Sequence, residues 1–267
     1  MQLTIGLLLG AFIALLAWWA GALSPSGAWA AALTGGLVFG LGGLPWAVLL
    51  LVFFVSSSLL SQAFARRKAA VNEKFSKGSR RDWGQVLANG GLGAFLAVIY
   101  GLRPDLIWLW PAFVGAMAAV NADTWATELG VLSKAPPRLI ITGKTVERGT
   151  SGGVTWLGTL SSLAGAALVG LAAAWFTPQV SSLTVIGLVA LGGLAGSLCD
   201  SALGATAQAI YYCPTCQKET ERHPTHLCGT PTVQVRGWRW LNNDLVNFIC
   251  SLVGAAITAG LWLLLVS

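Results

Sequence analysis

Charged residues are scarce in this sequence, since Asp, Glu, Lys and Arg together make up only 10% of its 267 residues. A typical soluble domain has about 25% charged residues, so the composition excludes an ordinary soluble globular protein. The mean hydropathy of +0.70 and the 33 glycines are instead typical of packed transmembrane helices, whose contact faces favour small residues. We therefore predict an integral membrane protein.

Further absences narrow the possible functions. The sequence contains no GxxxxGK[ST] motif, which excludes a P-loop as the means of binding a nucleotide. The first apolar segment, residues 3–23, lacks the basic start and the small-residue cleavage site of a signal peptide, so we interpret it as a retained span. The net charge of +6 does not require a nucleic-acid partner, because basic residues of membrane proteins gather in cytoplasmic loops.

Apolar runs of about 18–20 residues are long enough to cross a bilayer as helices. They predict eight spans, at residues 3–23, 28–43, 45–63, 84–101, 106–127, 153–176, 183–211 and 243–266. The predicted fold class is all-α, a polytopic transmembrane helical bundle that forms a single domain over residues 1–267. Gly42, Gly43 and Pro45 could turn the second and third segments into a tight hairpin. Seven spans plus a re-entrant segment is therefore the alternative.

The basic residues predict the orientation. Of the 16 Lys and Arg residues, all but Arg103 fall in three loops, which follow the third, fifth and seventh spans. The first of these loops holds Arg66, Arg67, Lys68, Lys74, Lys77, Arg80 and Arg81. Because basic loops remain on the cytoplasmic side, we predict that these three loops are cytoplasmic and that both termini lie outside. The expected location is the cell (inner or plasma) membrane.

Five segments bring unusual polar residues to the predicted cytoplasmic ends of the spans. They are Asn89 with the two glycines after it, NADTWATELG (Asn121–Gly130), GKTVERGTSGG (Gly143–Gly153), GSLCDSALGATAQ (Gly196–Gln208) and NNDLVN (Asn242–Asn247). Acids within membrane segments are functional-site candidates, which singles out Asp123, Glu128 and Asp200. The segments together predict one polar cleft that faces the cytoplasm.

Helical spacing raises a question within NADTWATELG. Asn121, Thr124 and Glu128 repeat at i, i+3 and i+7 and share one face of a helix, whereas Asp123 points away from that face. Two alternatives follow. The helix breaks or bends at this point, or Asp123 serves a separate contact.

Acids on several helices beside a basic, glycine-rich loop indicate a site for a metal ion and phosphates. Mg²⁺ is usually held by one or two carboxylates, with water and substrate phosphates completing its shell. Glycines let backbone N–H groups approach phosphate oxygens. The loop residues with this composition are Lys144, Arg148, Thr150, Ser151, Gly152 and Gly153. A structural alternative is that Thr150 or Ser151 is the N-cap of span six.

Other polar residues of these segments also have a structural alternative. Asn and Ser in membrane helices often only bond a neighbouring helix, which contributes about 0.6 kcal/mol on average. This alternative applies to Asn89, Ser201, Asn243 and Asn247. Asp244 could simply complement the helix dipole at the start of span eight.

A second group of residues lies in the last predicted cytoplasmic loop, residues 213–237. Cys213 and Cys216 form a CxxC pair, which His223, His226 and Cys228 follow. Such spacing is of the type found in structural zinc sites, and the cytoplasm disfavours disulfides. We predict that zinc binds Cys213, Cys216, His226 and Cys228 and braces the loop. The alternative is a set of reduced thiols in an ordinary loop.

Four of these motifs, in this order, resemble those of a known family. NADTWATELG, GTSGGVTWLGT, GSLCDSALGATAQ and NNDLVN are similar to motifs of an integral membrane family long catalogued as a domain of unknown function. That family includes animal transmembrane protein 19 and the plant phytyl-phosphate kinase of the vitamin E pathway. The resemblance covers almost the whole chain, and the CxxC loop resembles that of prokaryotic members.

The resemblance implies a polytopic helical fold and a phosphoryl transfer. An isoprenyl monophosphate, such as a phytyl or geranylgeranyl phosphate, would become the diphosphate. CTP or another cytoplasmic nucleoside triphosphate would be the donor. Because function depends on the site and not on the fold, the resemblance does not fix the substrate.

On this hypothesis each candidate residue has a role. Asp123, Glu128 and Asp200 would hold Mg²⁺ directly or through water, while Lys144, Arg148 and residues 150–153 would hold the triphosphate. The groups that would orient the acceptor phosphate or a second ion are Asn121, Asn243, Asp244 and Asn247. Arg80, Arg81 and Asn89 are weaker candidates for binding the phosphates, and Ser201 is a further candidate binding residue. The alternative functions are a transporter or flippase of a lipid phosphate and a scaffold without chemistry.

Overall fold

The computed structural model of the chain describes residues 1–64 and 80–266. Five basic residues on which the predicted orientation partly depends, namely Arg66, Arg67, Lys68, Lys74 and Lys77, lie outside the described residues. The described part is predominantly helical, and its strands form no closed sheet. The predicted polytopic helical membrane protein is confirmed.

Eight α-helices lie where the hydropathy pattern predicts the spans. They are α1 (Gln2–Trp19), α2 (Pro25–Leu37), α3 (Leu44–Ala63), α4 (Trp83–Leu102), α5 (Leu109–Gly130), α6 (Trp156–Trp175), α7 (Ser182–Thr206) and α8 (Asn243–Leu265). Within the described residues, six of these helices are long and apolar enough to cross a membrane, and the two that fall short are α2 and α5.

The two exceptions have different causes. α2 has 13 residues and is about 20 Å long at 1.5 Å per residue, which is less than the ~30 Å hydrocarbon core of a bilayer. A π-helical turn, Val38–Gly42, extends it, and Gly43 then takes a positive φ of 80° before α3 begins. The tight connection predicted at Gly42–Pro45 is therefore present. α5 has 22 residues, but its second half carries Asn121, Asp123 and Glu128.

α5 lies at the centre of the bundle and packs against α3, α4, α6, α7 and α8. Every residue from 111 to 122 is buried, as expected for a helix that is apolar on all sides. Glycines allow close approach, since a Cβ atom at Gly254 of α8 would lie 2.6 Å from the carbonyl oxygen of Gly115. The last turns of α5, which carry the acids, are therefore surrounded by the ends of its neighbours.

Side-chain caps fix several helix starts at that end. Asp82 and Gln85 form a capping box at the start of α4. The Thr155 Oγ1 accepts a hydrogen bond from the Gly158 N–H and caps α6. The alternative that Thr150 or Ser151 caps this helix is therefore wrong. α7 ends at Thr206, earlier than the predicted residue 211, because the chain turns there into a strand.

Two small sheets connect the helices at this end. β1 (Arg138–Leu139) pairs with β2 (Gly153–Val154) and closes the glycine-rich loop into a hairpin. β3 (Ile210–Cys213), β4 (Lys218–Thr220) and β5 (Val233–Arg236) form an antiparallel sheet with the order β4-β3-β5. We call residues 210–236 the Cys/His module. It begins at Ile210 and so includes the first strand, slightly before the predicted loop 213–237.

Candidate functional site

A polar cavity of about 290 Å³ lies where the last turns of α3, α5 and α7 meet the first turns of α4, α6 and α8. The structure brings residues of all five polar segments to this cavity. The predicted site residues that line it are Asn89, Asp123, Glu128, Arg148, Thr150, Ser151, Gly152, Gly153, Asp200, Ser201, Asn243 and Asn247. Six helices and the β1–β2 hairpin thus enclose one site.

Three predicted binding residues do not line this cavity, namely Asn121, Lys144 and Asp244. Asn121 is fully buried, where its Nδ2 donates to the Gly165 carbonyl oxygen (2.8 Å) and its Oδ1 accepts from the Ser56 Oγ (2.8 Å). It therefore ties α5 to α6 and α3. Lys144 is exposed in the hairpin. Asp244 lies in the first turn of α8, the position that suits an interaction with the helix dipole.

The position of Asp123 answers the question raised by its spacing. α5 continues as an α-helix to Gly130, so the structure does not support the predicted break. Asp123 instead makes a separate contact with α7, where the Ser197 Oγ donates to its Oδ1 at 3.5 Å. Asp123 and Glu128 nevertheless both line the polar cavity.

Asp200 of α7 shares the cavity with Asp123. The two carboxylates are close enough to repel each other when both are ionised, and the charge of Glu221 adds to this repulsion. The Oδ2 of Asp200 is buried, and none of the described residues donates a hydrogen bond to it. Buried carboxylates in this condition favour a nearby cation. The donor set therefore fits Mg²⁺, a hard cation with oxygen ligands.

Arg81 supplies a fixed positive charge on another wall. Its guanidinium donates to the Ser58 Oγ (2.7 Å) and the Ser57 Oγ (2.9 Å) of α3. It also lies 5.5 Å from the ring centroid of Phe54 and 5.7 Å from that of Phe53, within the range of cation–π attraction. Burial lowers the pKa of Arg81 to about 10, against the opposing effect of Glu128, so the side chain is protonated at neutral pH.

Glu128 is the most buried acid of the cavity, with 7% of its surface exposed. Its Oε1 accepts a hydrogen bond of 2.7 Å from the Ser61 Oγ of α3. Its negative charge acts on Arg81. Glu128 thus differs from Asp123 and Asp200, because a cation of the protein is already near it.

The glycine-rich loop packs directly against the end of α7. Gly152 has a φ of 82°, and a Cβ atom there would overlap the backbone of Ala205, so the loop needs glycine at this position. The next contact is polar, because the Ser151 Oγ donates to the Gln208 Oε1 at 2.9 Å. The loop backbone is therefore held against the cavity wall. The N–H groups of Thr150 and Gly153 donate within the loop, to the carbonyl oxygens of Glu147 and Thr150, so any backbone contact with phosphate oxygens would fall to the other N–H groups of the loop.

The same glutamine connects the loop to the Cys/His module. The Gln208 Nε2 donates to the Glu221 Oε1 at 2.9 Å, and Glu221 lines the polar cavity. Arg236 of β5 donates to the carbonyl oxygens of Gly204 and Ala205 at the end of α7. The module is thus docked on α7, and it adds a fourth acid to the cavity.

The predicted zinc ligands converge within this module. One ligand atom from each of Cys213, Cys216, His226 and Cys228 lies within 4.8 Å of the other three. The Sγ atoms of Cys213 and Cys228 are 3.5 Å apart, and the His226 Nδ1 lies 3.4 Å from the Cys228 Sγ. Tetrahedral ligands at zinc distances of about 2.1–2.3 Å are roughly 3.5–3.8 Å apart, so the geometry fits zinc. All five cysteines are free of disulfides.

The remaining histidine and the thiol pKa values agree with this choice of ligands. His223 stacks on Tyr211, with ring centroids 4.5 Å apart, and is not part of the cluster. Interactions with Thr230 and His226 lower the pKa of Cys228 to about 6, whereas the hydrogen bond to Cys228 raises the pKa of Cys216 to about 11. The cluster therefore already favours one thiolate, the form in which cysteine binds a metal.

Sequence reasoning missed Glu221 and Gln85 and gave Arg81 little weight. The Asp82–Gln85 capping box could have been recognised from the spacing of Asp and Gln, which would have placed Arg81 at a helix start. Arg80, its neighbour, donates to the Leu23 carbonyl oxygen at 3.4 Å and is not among the described residues that line the polar cavity. No pattern in the sequence indicates that Glu221, a residue of the Cys/His module, also lines the polar cavity.

Comparisons with known proteins agree with the motifs. Residues 8–255 match the family described as integral membrane protein DUF92. The chain therefore belongs to this family, and the resemblance noted in the sequence is confirmed. No solved structure is significantly similar to the chain.

Three relatives show how far the similarity extends. Protein PGR of Arabidopsis thaliana is 38% identical over 239 residues, which cover 81% of this chain and 81% of that protein. The uncharacterized membrane protein sll0875 of Synechocystis is 30% identical over 226 residues, which cover 83% of this chain and 75% of that protein. Protein VTE6, chloroplastic, of Arabidopsis thaliana is 27% identical over 242 residues, which are 88% of this chain and 64% of that protein.

Proposed function

We propose that this member of the DUF92 integral membrane family is a kinase that phosphorylates an isoprenyl monophosphate. The donor is a nucleoside triphosphate, CTP in our proposal, and the product is the isoprenyl diphosphate. The observation that carries the proposal is the polar cavity, which brings acids from α5, α7 and the Cys/His module together with Arg81 and the glycine-rich loop. The resemblance of the motifs to a family that includes the plant phytyl-phosphate kinase supports the choice of substrate.

The acids provide the metal site of this proposal. Asp123 and Asp200 would hold Mg²⁺, and in our proposal Glu221 and Glu128 would contribute directly or through water. When bound, Mg²⁺ would supply positive charge that neutralises the phosphate groups. The Ser197 hydroxyl orients Asp123, and the Ser61 hydroxyl orients Glu128. The carboxylates do not form a closed set of ligands among the described residues, which leaves positions for water and phosphates.

The basic residues and the loop hold the two phosphate groups. Arg148 lines the cavity while its Nη2 donates to the carbonyl oxygens of Ser133 (2.7 Å) and Lys134 (3.2 Å). This fixes its guanidinium beside residues 149–153, whose backbone would receive the triphosphate. Arg81, on the α3–α4 side, would bind the phosphate of the acceptor. The acceptor and donor would thus approach each other from opposite walls.

The reaction itself needs little from the protein beyond positioning and charge. A phosphate oxygen of the acceptor forms a bond to the γ-phosphorus of the donor. The bond from the γ-phosphorus to the bridging β–γ oxygen breaks, and the nucleoside diphosphate leaves with that electron pair. An acceptor phosphate is already anionic near neutral pH, so the cavity requires no strong general base. Arg81 and Arg148 stabilise the negative charge that the two phosphates bring together.

The position of the cavity at one end of the bundle favours a kinase over the transporter or flippase. Alternating access typically uses a site near the bilayer midplane. The polar residues here lie instead at one end of the bundle, at the last turns of α3, α5 and α7 and the first turns of α4, α6 and α8. We propose that this end faces the cytoplasm, where the donor nucleotide is found. The basic residues Lys134, Arg138, Lys144 and Arg148 between α5 and α6 support that orientation.

We also propose that zinc binds the four residues of the Cys/His cluster. Four protein ligands leave no open position for chemistry, so the metal would be structural. Its effect on the reaction is indirect. It would fix the module that carries Glu221 and would hold this acid at the cavity through Gln208.

Catalysis is tested with purified protein in detergent, supplied with Mg²⁺, γ-³²P-labelled CTP and phytyl or geranylgeranyl monophosphate. We expect labelled isoprenyl diphosphate and unlabelled CDP in equal amounts, and no transfer when Mg²⁺ is chelated. ATP, GTP and UTP are run in parallel. Folded protein that forms no diphosphate with any of these donors and acceptors contradicts the proposal. Movement of a fluorescent isoprenyl phosphate across vesicle membranes without nucleotide would instead support the flippase.

A further inference from the structure

A second cavity, which we call the apolar cavity, lies between α1, α2, α3 and α4 and also has a volume of about 290 Å³. Only four of its lining residues are polar, namely Thr34, Arg81, Gln85 and Asn89. The others are glycine, alanine and larger aliphatic or aromatic residues. Among ligands, such a lining suits a hydrocarbon chain, since no polar group of the ligand would find a partner along most of the wall.

The two cavities meet. Three residues line both of them, namely Arg81, Gln85 and Asn89. These side chains therefore lie at the junction between the apolar cavity and the polar cavity, which we propose to bind phosphates. Arg81 is held there by Ser57 and Ser58. A ligand that bridges the junction must therefore combine an anionic head group with an apolar tail.

The apolar cavity extends away from the polar end along α3. Ser57 and Ser61 of this helix contact the polar-end residues Arg81 and Glu128, whereas the cavity lining on α3 runs from Phe54 back to Leu44. Ten residues of helix correspond to about 15 Å, which is half of the ~30 Å hydrocarbon thickness of a bilayer. The direction and length are those of a tail that reaches from the membrane surface toward its middle.

We propose that the apolar cavity binds the isoprenoid tail of the acceptor, while Arg81, Gln85 and Asn89 hold its phosphate at the junction. The identity of the acceptor rests on the proposed function. The new assignment is the tail site within the α1–α4 half of the bundle. It predicts that the depth of this cavity limits the length of the isoprenoid chain.

The position of Ala47 allows a direct test of that limit. Ala47 lines the apolar cavity near the start of α3, the end that is far from Arg81. We expect Ala47→Phe to lower kcat/KM for geranylgeranyl monophosphate at least tenfold relative to geranyl monophosphate. Ala31→Phe, nearer to the junction, should also impair farnesyl monophosphate. The matched control is Ala11→Phe on α1, an exposed position outside the cavity, which should leave the chain-length profile unchanged.

Photocrosslinking tests the site without requiring catalysis and without any substitution. Unmodified protein in lipid nanodiscs is irradiated with geranylgeranyl monophosphate that carries a diazirine at the tail end. Adducts on Ile13, Val48 or Leu51, which line the cavity and are not exposed, are expected, and unlabelled geranylgeranyl monophosphate should compete with them. Adducts confined to outward-facing residues such as Leu8, Phe12 and Leu15, with an unchanged profile in Ala47→Phe, would overturn the assignment. Specific adducts in the cavity without any transfer would sustain the tail site and reject the kinase.

Discussion

The protein has two groups of side chains that we propose as metal ligands, and they differ in how completely the protein supplies the ligands. In the Cys/His cluster, four ligand atoms lie within 4.8 Å of one another. The acids of the polar cavity come from separate elements, and among the described residues they form no such compact set. A complete set of protein ligands is typical of structural zinc sites, whereas an incomplete set leaves room for substrate. Position in the fold agrees, because the acids line the polar cavity, whereas the four residues of the Cys/His cluster are not among its described lining residues.

Glu221 joins the two groups. It follows β4 of the Cys/His module, yet it lines the polar cavity and accepts a hydrogen bond from Gln208. The difference between the groups therefore predicts different consequences of breaking each one. We call the acids of the polar cavity the open group and the four residues of the Cys/His cluster the closed group. Damage to the open group should stop turnover directly, and damage to the closed group should act through the position of Glu221.

The largest effect is expected for Asp200→Asn, which removes a charge from the open group. We expect kcat/KM to fall at least ~100-fold, equivalent to about 2.7 kcal/mol of transition-state stabilisation. The substituted protein should still fold, because Asn retains the shape of the side chain. Phosphate transfer, zinc content and thermal unfolding are measured on the same preparation.

The matched control for this change is Asp105→Asn. Asp105 forms an exposed ion pair with Arg103, outside the polar cavity, and such pairs contribute little to stability. This control should retain normal kinetics. Near-normal activity in Asp200→Asn would remove Asp200 from the proposed metal site.

The next effect is expected when the closed group is broken by Cys213→Ser. The protein should lose its roughly one equivalent of zinc, because a structural zinc site depends on all four ligands. Activity should fall about 10–100-fold, the range seen when groups that position a metal site are removed. Metal analysis and the kinase assay test both expectations.

Cys199→Ser is the control for Cys213→Ser, since Cys199 lies in α7 outside the cluster. It should keep the zinc. If wild-type protein contains no zinc but is fully active, the closed group is a set of reduced thiols and the bracing role is wrong.

The contrast between the two groups also explains how much the sequence alone could predict. Apolar runs predicted the helices because burial in lipid requires long apolar segments. Intramembrane acids identified Asp123, Glu128 and Asp200 because charge in a membrane is costly. The close spacing of Cys213, Cys216, His226 and Cys228 was sufficient to predict a zinc cluster. All of these signals are local in the chain.

Features that depend on tertiary packing were not predictable in the same way. Glu221 reaches the polar cavity only because Arg236 and Gln208 dock the module on the end of α7. Arg81 and Arg80 are adjacent and chemically identical, and only the fold distinguishes them. The apolar cavity has no sequence signal either, because its lining residues are as apolar as residues that face lipid or a helix neighbour.

A smaller effect is expected for Glu221→Gln, which removes the negative charge of this acid but leaves the Cys/His module intact. We expect about a tenfold loss of activity, at the lower end of the range for such supporting groups, with the zinc retained. Glu219→Gln, an exposed position on β4, is the matched control and should behave like the wild type. The double variant Cys213→Ser/Glu221→Gln should be little worse than Cys213→Ser, since coupled changes are not additive. Fully additive losses would show that zinc supports activity by a route other than Glu221.

The smallest effect is expected for Ser197→Ala, which removes the hydroxyl that orients Asp123. The hydrogen bond is long, at 3.5 Å, so its loss should cost only about 0.5–1 kcal/mol, or roughly a two- to fivefold decrease in kcat/KM. Because Asp123 would hold Mg²⁺ less firmly, the decrease should be largest at low Mg²⁺ and should shrink when Mg²⁺ is saturating. Ser161→Ala on α6 is the control, since the Ser161 hydroxyl donates to the Leu157 carbonyl oxygen of its own helix. A decrease in Ser197→Ala that does not depend on Mg²⁺ would mean that Ser197 stabilises the contact between α5 and α7 and does not tune a metal ligand.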